Sequence, residues 1–67
     1  MLNVKLVKQK MKEMNISNKQ LADALGVHYG TISNWFSYFR IPNLNHIVAM
    51  CKMLDLKIDD AIVGIVE

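Results

Sequence analysis

Residues 17–42, SNKQLADALGVHYGTISNWFSYFRIP, constrain the fold more than any other stretch of this chain. Ser17 is a favourable helix N-cap, and Gln20 three positions later completes a capping box. Leu21, Ala22 and Leu25 then fall on one face of the helix that follows. Gly26 supplies the backbone freedom that a sharp turn or helix C-cap needs, with Val27 as an apolar plug behind it. Farther on, Ile32, Trp35 and Phe36 recur at helical spacing, while Tyr29, Gly30, Ser33, Asn34 and Ser37 face the other way. The pattern predicts helices over 18–25 and from 28 or 29 to about 37, joined at a glycine turn. His28 stands at the N-cap of the second of these and is an indifferent cap. Gly30 in its first turn costs up to about 1 kcal/mol against Ala. On the outward face it permits a close approach; alternatively, a first-turn glycine is simply cheap.

The flanking sequence predicts three more helices. Asn3 caps a helix over residues 3–14, with Val4, Val7, Met11 and Met14 as its apolar stripe and lysines between them. Asn15 is a left-handed C-cap, and Ile16 is placed to staple the next helix. Residues 37–42 form a loop ended by Pro42. Asn43 then caps a helix over 44–54, with Leu44, Ile47, Val48, Cys51 and Leu54 inward. Leu56 and Ile58 lead to a short helix over 58–63, where Asp59 and Asp60 favour the positive helix terminus. The fold class is therefore all-α, in one domain spanning residues 1–67. Such a short chain buries only about 60% of its extended surface. The apolar fraction of 52% nevertheless argues against disorder.

Composition and charge narrow the function. Residues 1–42 hold Lys5, Lys8, Lys10, Lys12, Lys19 and Arg40 against Glu13 and Asp23, a surplus of +4. Residues 43–67 hold Lys52 and Lys57 against Asp55, Asp59, Asp60 and Glu67, or −2. Positive charge gathered in the half that holds the central helix pair suits a polyanion partner. On charge alone, a plain solvated helix face is an equally good reading. A single cysteine allows no internal disulfide, which fits a reducing compartment. No apolar run approaches the ~20 residues needed to span a bilayer, and the N-terminus lacks a signal-peptide pattern. These features predict a cytoplasmic protein with no membrane partner. His28, His46 and Cys51 lack metal-ligand spacing, so no metal or cofactor is expected. No nucleophile, base and orienting group come together, so neither is catalysis. Cys51 reads as a small buried hydrophobe, and Trp35 and Phe36 as core, not a stacking platform.

A helix pair with a short Gly-containing turn is the pattern of the DNA-reading helix-turn-helix. The chain also resembles the phage Cro and repressor (XRE-type, lambda-repressor-like) family. The resemblance is carried by NISNKQLADALGV, the run Thr31–Ile32–Ser33–Asn34–Trp35, Ile41–Pro42, and Leu44 through Met53–Leu54–Asp55–Leu56 to Asp59–Asp60. It implies a compact bundle of five short helices whose third lies in the major groove. It also implies a small transcriptional repressor bound to a two-fold operator as a homodimer. Members commonly carry an Arg where this chain has Met11 and a Glu where it has Phe36; an apolar contact here replaces that ion pair. Members also often follow the Trp35 position with Glu-Asn-Gly and a basic run, where this chain has Phe36, Ser37, Tyr38, Phe39 and Arg40.

At the positions matching the family's reading residues stand Tyr29, Gly30, Ser33 and Asn34, with Thr31 at the margin. Asn34 suits an adenine through N6 and N7, and the lack of Arg or Lys on this face predicts A·T pairs at the half-site core. Phosphate contacts are expected from Asn18, Lys19, Arg40, Asn43 and Asn45, with longer-range attraction from Lys8 or Lys12. Asn43 serves also as a helix cap. The apolar tail, Ile62, Val63, Ile65 and Val66 within 62–67, is expected either to join a dimer interface, with Tyr38 or Phe39 as candidate additions, or to fold back on its own core. No small-molecule effector is expected. The rival reading is a protein-interaction module of the same fold, such as an antitoxin, anti-repressor or bridging factor, supported by the sparse cations and the apolar tail.

Overall fold

The computed structural model describes residues 2–62. Five α-helices follow in order: α1 (Val4–Glu13), α2 (Asn18–Leu25), α3 (Tyr29–Phe36), α4 (Leu44–Leu54) and α5 (Ile58–Ala61). Their starts are set by side chains that satisfy otherwise unpaired backbone donors. Asn3 Oδ1 accepts from Leu6 N–H, and Asn43 Oδ1 accepts from His46 N–H at 2.9 Å. At α2 the capping box is complete: Gln20 N–H donates to Ser17 Oγ at 3.1 Å, and Ser17 N–H donates to Gln20 Oε1 at 2.8 Å. α5 has no side-chain cap, but Asp59 and Asp60 lie in its first turn.

The ends of α1 to α4 share one geometry. Asn15, Gly26, Tyr38 and Asp55 all adopt left-handed backbone, with φ of 61°, 72°, 64° and 55°. After each of them the chain folds back, and the next N–H donates to a carbonyl five residues earlier. The pairs are Ile16 to Met11, Val27 to Ala22, Phe39 to Asn34 and Leu56 to Cys51, at 2.8–3.0 Å. This is the Schellman termination, in which the residue after the left-handed one usually makes an apolar contact back to the helix. Ile16, Val27 and Leu56 do pack against the core. Phe39, in the same place after α3, is 71% exposed, and the residue it returns to is polar Asn34.

One apolar cluster joins all the longer helices. Val4, Val7 and Met11 of α1, Leu21 and Ala22 of α2, Ile32, Trp35 and Phe36 of α3, and Met50 and Leu54 of α4 are buried together with Leu2. A second cluster of Ile47, Cys51 and Ala61, with Leu56 and Ile62 against it, seats α5 on α4. α2 and α3 pack on each other, α4 lies against α1 and α2, and α5 lies against α1 and α4. The two ends of the described chain meet. Leu2 and Ile62 form an antiparallel bridge, and Asn3 N–H donates to Ala61 O at 2.7 Å.

Several details differ from the sequence pattern. Met14 lies beyond the last turn of α1 as its cap and is exposed, so the stripe ends at Met11. Leu44 is 64% exposed and Val48 half-buried, while Met50 is buried. The inward face of α4 is thus Ile47, Met50, Cys51 and Leu54, at i, i+3, i+4 and i+7. Leu44 begins α4 outside that core, while Pro42, two residues earlier, is buried. α5 ends at Ala61, because Ile62 turns extended (φ −118°, ψ 129°) to pair with Leu2. Both sides of the Met11/Phe36 substitution lie in the main cluster. Phe36 also has Lys8 Nζ 5.5 Å from its ring centroid, a cation–π contact added to the apolar packing expected in place of the family's ion pair.

Candidate nucleic-acid interface

α3 is held by its apolar side and presents its polar side outward. Ile32, Trp35 and Phe36 are buried, which leaves Tyr29, Ser33 and Asn34 exposed and Gly30 and Thr31 half-buried. The orientation is a direct consequence of spacing, since residues three and four apart share a face. The Tyr29 ring is 58% exposed. It lies against the His28 imidazole, with ring centroids 4.7 Å apart and planes at 30°.

His28 caps α3 more effectively than its residue type suggests. Its Nδ1 accepts from Gly30 N–H at 3.0 Å, doing with a ring nitrogen what a Ser or Asp oxygen does elsewhere. Gly30, expected either to permit a close approach on the outward face or to be simply a cheap first-turn glycine, is half-buried. A Cβ at that position would meet His28 Nδ1 at 3.1 Å.

Two depressions border the exposed face of α3. One, of about 230 Å³, is lined by Lys8, Asn18, Ser33, Phe36 and Ser37. The other, of about 370 Å³, is lined by Thr31, Asn34, Arg40, Asn43 and His46 among others. Thus Asn18 and Ser33 come together on one side, and Thr31, Asn34, Arg40 and Asn43 on the other. Lys19 and Asn45 are exposed but line neither depression. Asn43 also spends its side-chain oxygen on capping α4.

Three polar residues outside the expected contact set line these depressions: Ser37, His46, and Lys8, which was expected only to attract at longer range. Lys8 is brought beside Asn18 and Ser33 by its place over Phe36. His46 is brought beside Arg40 and Asn43 by its tilted contact with Trp35, with centroids 5.2 Å apart. Helical periodicity put Lys8 on a solvated face, and only the packing of α1 near α3 shows which one.

The groups that might suggest other chemistry do not assemble. Among the described residues, no three His, Cys, Asp or Glu side chains are placed to hold a metal ion. Cys51 is buried, and burial pushes its thiol pKa up, so it is held protonated. No described helix is long and apolar enough to cross a membrane.

Two helices joined by a tight glycine turn, the second buried along one side and polar along the other, make a helix-turn-helix unit. A helix-turn-helix family matches residues 7–60, and the chain belongs to that family, the Cro/C1-type (XRE) helix-turn-helix proteins. It is accordingly a DNA-binding regulator of the XRE type. No curated protein matches the chain.

Proposed function

We propose that this protein is a small, non-enzymatic cytoplasmic repressor that binds a two-fold DNA operator as a homodimer, with α3 in the major groove. The observation that carries this reading is the exposed polar face of α3, flanked by depressions that collect Lys8 and Asn18 on one side and Arg40 and Asn43 on the other. Tyr29, Gly30, Thr31, Ser33 and Asn34 meet the base edges. Asn34 pairs bidentately with an adenine. Asn18, Lys19, Arg40, Asn43 and Asn45, joined by Lys8, take phosphates and fix the register without reading sequence.

One such helix reads few base pairs, so specificity requires two half-sites about one helical turn apart. The dimer contact is assigned to the C-terminal tail. Of its residues, Ile62 is half-buried against the α4–α5 cluster, and Val63, Ile65 and Val66 lie outside the described residues. Substituting Val63→Asp or Ile65→Asp should halve the sedimenting mass; an unchanged mass overturns the assignment.

Selection from a random duplex pool tests the whole reading. It should return an A·T-containing site with two-fold symmetry, and binding to it should weaken steeply with salt as counterions are released. A specific observation favours a second reading, that of a protein-interaction module. Phe39, Ile41 and Leu44 are 71%, 74% and 64% exposed along one connected stretch, more apolar surface than a phosphate-binding loop needs. No selected sequence, or binding insensitive to salt, decides for that alternative.

A further inference from the structure

We propose that His28 is a positioning residue of the reading head, that it sets the Tyr29 ring on the exposed face of α3, and that Gly30 is glycine so that His28 fits. The effect on base selection rests on the DNA reading above; the His28–Gly30 pairing does not. Three observations converge on the imidazole. Its Nδ1 accepts from Gly30 N–H at 3.0 Å. Its face lies against Tyr29, centroids 4.7 Å apart. The one place where a Cβ on Gly30 would be crowded is that same Nδ1, at 3.1 Å.

The hydrogen bond fixes more than the helix start. A backbone N–H can only donate, so Nδ1 must carry its lone pair, and the neutral ring's proton is therefore on Nε2. The ring is thereby locked in both tautomer and orientation, with its second nitrogen a donor. Tyr29, the first residue of α3, is 58% exposed and belongs to neither apolar cluster. The aromatic contact to His28 restricts its rotamers, and a ring held in one pose reads a base step better than one that wanders. A Ser or Asp cap would serve the helix as well or better but would remove the aromatic contact to Tyr29. The helix accepts an indifferent cap and a first-turn glycine together, and the Tyr29 pose is what both secure.

The test has three parts. Nitrogen-15 NMR of the imidazoles at pH 8 should show His28 with Nε2 protonated and Nδ1 bare; the opposite tautomer, or an averaged mixture, overturns the proposal. Gly30→Ala should raise the folding equilibrium constant by up to about five-fold in a His28→Ser background, the ordinary helix-propensity gain. In the His28 protein the ring must give way, so the gain should be largely lost; equal gains in both backgrounds overturn the pairing. His28→Asn keeps a good cap and removes the ring. It should leave stability unchanged or higher while discrimination at one outer base pair falls about five-fold and that at the Asn34 pair persists. Unchanged discrimination at every position overturns the positioning role. If the parent protein selects no DNA sequence, the DNA reading fails, and the tautomer and the Gly30 cycle still decide whether His28 and Gly30 form one unit.

Discussion

Replacing Tyr38 with glycine should stabilise this protein. Tyr38 has φ +64°, a conformation that costs an L-residue roughly 1–2 kcal/mol. Its N–H and that of Phe39 close the end of α3 on Trp35 O and Asn34 O at 3.2 and 2.9 Å, so the backbone cannot relax without opening the termination. Glycine removes the strain but adds freedom to the unfolded chain, about 0.4–1 kcal/mol. The lost side chain matters little, because the Tyr38 ring is half exposed and belongs to neither apolar cluster. The balance favours Tyr38→Gly by about 0.5–1 kcal/mol. For a domain of this size that corresponds to a rise in Tm of roughly 2–8 °C. Thermal melts by circular dichroism measure it directly. Tyr38→Ala is the control: it removes the ring and keeps the strain, so it should gain nothing. Gly26→Ala is the mirror image, with φ +72° and open space around the added Cβ, and should lose about 1–2 kcal/mol from strain alone. A Tyr38→Gly protein that melts at or below the parent, or a Tyr38→Ala protein that gains as much, refutes the strain argument.

Other outcomes follow from burial and from the character of each contact. Leu54→Ala, at a position with no exposed surface, should cost about 2–5 kcal/mol. That is a large part of the few kcal/mol expected of a small domain, and chemical denaturation should show the protein partly unfolded without denaturant. Asn34→Ala should relax preference at one base pair by roughly 1–3 kcal/mol. Arg40→Ala should instead weaken binding to all sequences alike and lower the salt slope by about one, read from mobility shifts at several salt concentrations. Cys51 should resist a thiol reagent in the folded state and react freely in denaturant. Its raised pKa keeps the thiolate scarce at neutral pH, so the small folded-state rate should rise as pH increases towards that pKa.

The exposed stretch after α3 is where this chain departs furthest from economical design. Three of its four left-handed helix ends pack the following apolar residue against the core, and their left-handed positions are held by Asn15, Gly26 and Asp55, residue types that tolerate the conformation. The fourth places a strained Tyr38 there and leaves Phe39 in solvent. Strain and exposed apolar surface together mark a segment not shaped for stability. Phe39 lies with Arg40, whose guanidinium carbon is 5.5 Å from its ring centroid, beside the depression that also holds Asn34.

The sequence alone determined the local architecture. The capping box at Ser17 and Gln20, the turn at Gly26 and the buried triad Ile32, Trp35 and Phe36 are short-range patterns. Helix periodicity and cap chemistry depend on neighbours within about four residues, so the helices and the outward face of α3 were legible before any contact was known. Tertiary structure decided what depends on the distance between segments far apart in sequence. Leu44 is exposed and Met50 buried because which turns of α4 are covered depends on where other elements pack against it, which no periodicity in α4 encodes. Lys8 joined Asn18 and Ser33 because α1 packs so that its lysine lies over Phe36, and His46 joined Arg40 through Trp35. His28 is the clearest case. Its residue type makes a poor cap, and only the folded rotamer brings Nδ1 to the Gly30 N–H and the ring to Tyr29. A capping preference averages over side-chain rotamers, whereas the fold selects one.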